Sequence, residues 1–188
     1  MSCRRPYFRS AERVDALRRQ LALWSDARWQ HAGNHPNEMR CGITGDCLFW
    51  VHVFKAIGAL PPQIQIPRYR KMEAAADKMK LLRERIEATG RAELVFVATK
   101  HLRGYDASVG TSAAFMPGDV LLFRNGMSGV HCGLVTRSAP THFVHLSHNG
   151  LLEEPLAQDH WLRDLASVYR LTEPEASIVG HQPSSSRA

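Results

Sequence analysis

The sequence predicts an α+β fold, N-terminal helices packed on an antiparallel sheet of about five strands, and two observations carry that expectation. Apolar residues recur at helical spacing before Gly90, and short apolar runs divided by turn residues follow it. Helices first and strands after is the order of a fold whose helices lie to one side of the sheet.

The first helix is expected in the stretch after Ser10, residues 11–29, where Val14, Leu17, Leu21 and Trp24 share a face and Ser10 is placed to cap the free N–H groups. From Gln30 to Gly45 the pattern dissolves into a Gly-, Asn- and Pro-containing loop. Helical spacing resumes over residues 46–60 through Cys47, Trp50, Val51, Phe54 and Ile57, and Pro61-Pro62 stops it. Met72 to Thr89 forms a third helix with Met72, Ala75, Met79, Leu82 and Ile86 on one side and Gly90 as its C-terminal cap. The strands are expected at LVFVA, DVLLF, VHCGLV, HFVHLSH and SVYRL.

At 188 residues and 44% hydrophobic, the chain fits a single domain, placed over residues 1–173 and followed by a flexible tail over 174–188 that lacks apolar periodicity. The arginine-rich start has no apolar stretch of a signal peptide, and no run approaches the roughly 18 apolar residues of a membrane span, so cytoplasmic synthesis is expected. Four irregularly spaced cysteines do not make a disulfide framework. A formal charge of +6 favours a polyanionic partner: nucleic acid, an anionic membrane surface or an anionic wall polymer. Specific nucleic-acid binding is the weakest of these, since the basic residues over Arg4–Arg19 and Lys71–Arg91 lack interleaved aromatics.

Chemistry concentrates on Cys47. A helix N-terminus lowers a thiol's pKa, and the same unpaired N–H groups can hold the oxyanion of a tetrahedral intermediate. A buried core cysteine beside Leu48, Phe49 and Trp50 is the plainer alternative. The base must come from elsewhere in the chain, and His131 is the best candidate. Strand alternation puts His131, Gly133 and Val135 on one face and Cys132 and Leu134 on the other, so imidazole meets thiol if the first of these faces packs on the Cys47 helix. His145 on an adjacent strand would orient the base, with His148 as runner-up. Zinc on His131, Cys132, His145 and His148 is disfavoured because His131 and Cys132 face opposite ways, so no metal and no cofactor are expected.

With these residues in place the chain resembles the NlpC family of papain-like cell-wall peptidases, closest to the subgroup associated with phage tails. ARWQHAG is similar to the end of the family's first helix, GDCLFW to its nucleophile segment and MPGDVLLF to its Pro-Gly-Asp strand opening. VHCGLV resembles the strand of the catalytic His, and FVHLSHNGLLEEPL with Trp161 and VYRL the closing portion. The resemblance implies a papain-like fold, with Cys47 as nucleophile, His131 as base, His145 as the orienting residue, and Asp46 and Trp29 binding substrate. It implies hydrolysis of an amide in a peptidoglycan stem peptide through a thioester, by an enzyme acting at the cell envelope as part of a phage-like tail or after delivery by a secretion machine. The chain departs from the pattern at Phe49, where many relatives have Gly, at Trp29, where many have Tyr, and over the insert from Pro61 to Thr99. A cytosolic papain-like hydrolase or acyltransferase, and an inactive wall-binding or assembly module, are the alternatives.

Overall fold

The computed structural model describes residues 4–25, 49–64, 75–98, 115–125, 129–147 and 149–174. Helix α1 spans Ala11–Ala22, and the Ser10 hydroxyl accepts the Arg13 N–H at 3.4 Å, the expected cap. Leu17 and Leu21 are buried on its inner face. It ends earlier than the periodicity suggests, because the Leu23 N–H turns back to the carbonyls of Gln20 and Leu21 and Trp24 enters the core from a turn.

Helix α2 spans Phe49–Ala56 and buries Phe49, Trp50, Val51, Val53 and Phe54. Its end also precedes the expected one: the N–H groups of both Ala59 and Leu60 donate to the Phe54 carbonyl, at 2.7 and 3.1 Å, and close the last turn ahead of Pro61. Helix α3 spans Ala75–Glu87, with Met79, Leu82 and Ile86 buried as expected and Gly90 at φ +64 just beyond it. No described helix is long and apolar enough to cross a membrane.

Among the described residues the sheet is antiparallel throughout and has six strands rather than about five: β1 Ala92–Val97, β2 Val120–Asn125, β3 Gly129–Ser138, β4 Thr141–Ser147, β5 Gly150–Pro155 and β6 Leu165–Leu171. Their spatial order is β1-β6-β2-β3-β4-β5. The unexpected strand is β5, an edge strand whose Glu153 and Glu154 interrupt the apolar pattern. A short helix, α4, Asp159–Asp164, links β5 to β6.

Both faces of the sheet are packed. One core joins α1, α2 and α3 to Val120, Leu122, Cys132, Leu134, Val144, Leu146, Ala166 and Tyr169. The other joins Leu121, Phe123, Val135, Phe143 and Val168 to Leu156, to Leu162 of α4 and to Phe115.

The Pro-Gly-Asp turn before β2 ties the sheet together. Gly118 has φ +86, and a Cβ there would meet the Phe8 ring at 2.0 Å, so only glycine satisfies both the backbone and the packing. Asp119 behind it is buried and receives Nε and Nη2 of Arg170 on β6.

Candidate functional site

Strand register fixes which side chains meet. Phe123 on β2 pairs with His131 on β3, Val135 on β3 with Phe143 on β4, and Phe143 with Glu154 on β5. Antiparallel partners project to the same side and alternate residues share it. Phe123, His131, Gly133, Val135, Phe143, His145 and Glu154 therefore occupy one face, from four neighbouring strands. The sequence-derived parity of His131 and Cys132 holds.

On this face the two expected histidines are in contact. Nε2 of His131 lies 2.9 Å from Nδ1 of His145, with the rings edge to face. Nε2 of His145 has no hydrogen-bond partner among the described residues, although the Glu154 Oε2 atom stands 3.8 Å away at ion-pair distance. Trp161 of α4 completes the group. Its indole Nε1–H donates to Glu154 Oε2 at 2.5 Å, and its ring lies near-parallel to His131 at 22° with centroids 5.7 Å apart.

Close packing beneath the pair depends on Gly133: a Cβ there would come within 2.3 Å of the Phe143 ring, which itself lies against His145 with centroids 5.5 Å apart. A larger residue at 133 would have to displace the Phe143 ring.

Electrostatics favour neutral rings. Burial, helped by the neighbouring His145, lowers the His131 pKa from 6.5 to about 4. Burial also lowers His145, against the upward pull of Glu154. At neutral pH both rings are thus bases, one donating and one accepting in their shared hydrogen bond. A proton taken up at His131 is opposed by burial and by the neighbouring His145, both of which disfavour the charged ring.

The expectation about the facing helix is corrected. The sheet face that packs on α2 carries Cys132, Leu134 and Val144, with Val130 against it, while His131 and His145 lie on the reverse face. The apolar residues decide this: Cys132 and Leu134 join the helix-side core, whereas the histidines sit among aromatic rings. Phe49 is 1% exposed and packs toward Trp24, so its bulk fills the core. Cys47, Asp46, Trp29 and the runner-up His148 lie outside the described residues.

Glu154 and Trp161 were not assigned roles from the sequence. The SHNG turn after β4 was a usable signal for a hairpin, and alternation along the returning strand would then have put Glu154 beside the histidines. Among the described residues, no three His, Cys, Asp or Glu side chains are grouped to hold a metal ion. No protein-family model and no curated protein sequence matches the chain.

Proposed function

We propose that the protein is an NlpC-type cysteine hydrolase of papain-like fold that cleaves an amide bond in peptidoglycan stem peptides. The observation that carries this reading is the 2.9 Å contact between His131 and His145 on adjacent strands, a base already joined to an orienting group and kept neutral by burial. Cys47 gives its proton to His131 and attacks the amide carbon, and N–H groups at the start of the following helix hold the oxyanion. Collapse expels the amine, which takes the proton back from His131, and leaves a thioester. Water, deprotonated by the same imidazole, then releases the acid. Asp46 binds the stem peptide's amine and Trp29 lines the substrate side.

The enzyme reaches the wall as part of a phage-like tail or through a secretion machine, consistent with its lack of a long apolar helix among the described residues. Incubation with muropeptides and mass spectrometry should show cleaved stem peptides for the native chain and none for Cys47→Ala; cleavage by that variant would overturn the mechanism.

The packing of α2 away from the histidines favours one other reading, a wall-binding module that does not hydrolyse. It predicts that Cys47 reacts with iodoacetamide near neutral pH no faster than a cysteine in an unstructured peptide, whereas the hydrolase predicts a faster rate from a lowered thiol pKa.

A further inference from the structure

We propose that Glu154, held by Trp161, is a positioning residue that acts through His145 to set the tautomer of His131. This rests on the hydrolase reading above and adds to it the identity of the atom that receives the proton.

Among the side-chain contacts the donors and acceptors have one self-consistent direction, with the Leu146 backbone a further hydrogen-bond partner of His145. Indole Nε1 can only donate, so the 2.5 Å contact makes Glu154 Oε2 an acceptor. That same oxygen is the polar atom facing Nε2 of His145, 3.8 Å away, and this nitrogen is buried without another partner among the described residues. A buried nitrogen facing an acceptor is more stable carrying hydrogen than presenting a lone pair to it. His145 therefore holds its hydrogen on Nε2, and its Nδ1 is an acceptor. Across the 2.9 Å contact the Nε2 of His131 must then donate. What remains on His131 is Nδ1, with its lone pair available.

Reversal of the order would place two lone pairs, or a lone pair and the Glu154 oxygen, in opposition. Glu154 is suited to the role because its side chain is 28% exposed, leaving water to solvate the oxygen not used by Trp161. The other titratable group acting on His145 is His160, exposed at the surface, whose charged form opposes Glu154. Trp161 has two duties: it anchors the carboxylate and its ring covers the His131 imidazole, excluding water from one side.

In the reaction the thiol proton forms a bond to Nδ1 of His131, and the imidazolium keeps its Nε2 hydrogen in the bond to His145. No proton passes to Glu154. Its contribution is to orient the two rings.

The test is long-range 15N–1H correlation NMR on the full chain with 15N-labelled histidine at pH 7, assigned with His131→Gln and His145→Gln. The expected result is protonated Nε2 and unprotonated Nδ1 for both rings. In Glu154→Gln the two nitrogens of His145 should move toward averaged shifts, and kcat on muropeptides should fall on the order of 10–100-fold, within what general-base catalysis contributes in total. A wild-type His131 with hydrogen on Nδ1, or tautomers unmoved in Glu154→Gln, would overturn the proposal. If Glu154→Gln does not fold, Trp161→Phe loosens the same carboxylate and should shift His145 in the same direction, an unmoved His145 again counting against it. Expected tautomers in a protein that cleaves no muropeptide would remove the hydrolase reading and leave the positioning role standing.

Discussion

Asp119 and Arg170 form a bidentate pair: Nε reaches Oδ1 at 2.9 Å and Nη2 reaches Oδ2 at 2.7 Å, while Oδ2 also accepts the Met116 N–H at 2.8 Å. The carboxylate is 1% exposed, so its removal takes the bidentate acceptor away from a largely buried guanidinium. Asp119→Ala should lower unfolding free energy by about 3–5 kcal/mol in urea titration. Arg170→Lys keeps the charge but loses the planar fork and should fall between wild type and that variant. A loss below about 1 kcal/mol for Asp119→Ala would mean the pair does not hold β2 to β6.

Gly118→Ala tests the turn that delivers Asp119. The substitution places a Cβ against Phe8 at a positive φ, so steric and backbone costs act together. A loss of roughly 2–4 kcal/mol is expected, about 1–2 from the left-handed backbone and the rest from displacing the ring. Adding Phe8→Ala should make the glycine substitution less costly than in the native background, a coupling readable in a double-mutant cycle.

Acid should weaken the protein through His131. Its folded pKa is depressed to about 4 from 6.5, so between those values the unfolded chain binds more protons and stability rises with pH. The contribution is fully present above pH 6.5 and is lost as pH falls toward about 4. It amounts to roughly 2–3.5 kcal/mol at about 1.4 kcal/mol per unit, the lower end allowing for partial exposure of the ring. His145 shifts in the same direction. His131→Asn should flatten the pH dependence of the urea midpoint over this window, and an unchanged slope would remove His131 as its source.

Gly133→Ala should disturb the histidine pair without touching it. The added methyl overlaps Phe143, which can move only toward His145 or out of its core. Changed imidazole shifts for both histidines and a stability loss of about 1–3 kcal/mol are expected. Unaltered shifts would show that Phe143 yields in another direction.

How much of this was legible beforehand follows from range. Helical spacing named Leu17, Leu21, Met79, Leu82 and Ile86 as buried, because an amphipathic helix writes its buried face into one local stretch. Helix ends were overdrawn, since the hydrogen bonds that close α1 and α2 depend on backbone turns that periodicity does not register. Parity along β3 and β4 put His131 and His145 on a common face, and the 2.9 Å contact follows from it. Which face α2 would cover was not legible: Val135 and Leu134 are equally apolar, and only the packing of Cys132, Leu134 and Val144 with the helices separates them. Glu154 was hidden because β5 carries acidic residues at the sheet edge and its role exists only through pairing with β4.

The position of β6 bears on how the chain acquires its shape. It lies between β1 and β2, pairing with both, although it follows them in sequence with β3, β4 and β5 intervening. Among the described strands, before it docks β1 has no neighbour in the sheet and the β2–β5 meander presents β2 as an unpaired edge. Closure of this gap requires contacts between distant segments, the kind whose loop-closure entropy slows folding. During synthesis the Leu121 and Val168 ladder cannot form until residues 165–171 have left the ribosome, so a growing chain carries an open β2 edge from the emergence of residues 120–125 until then. That edge is where a nascent chain would pair with another copy or be held by a chaperone.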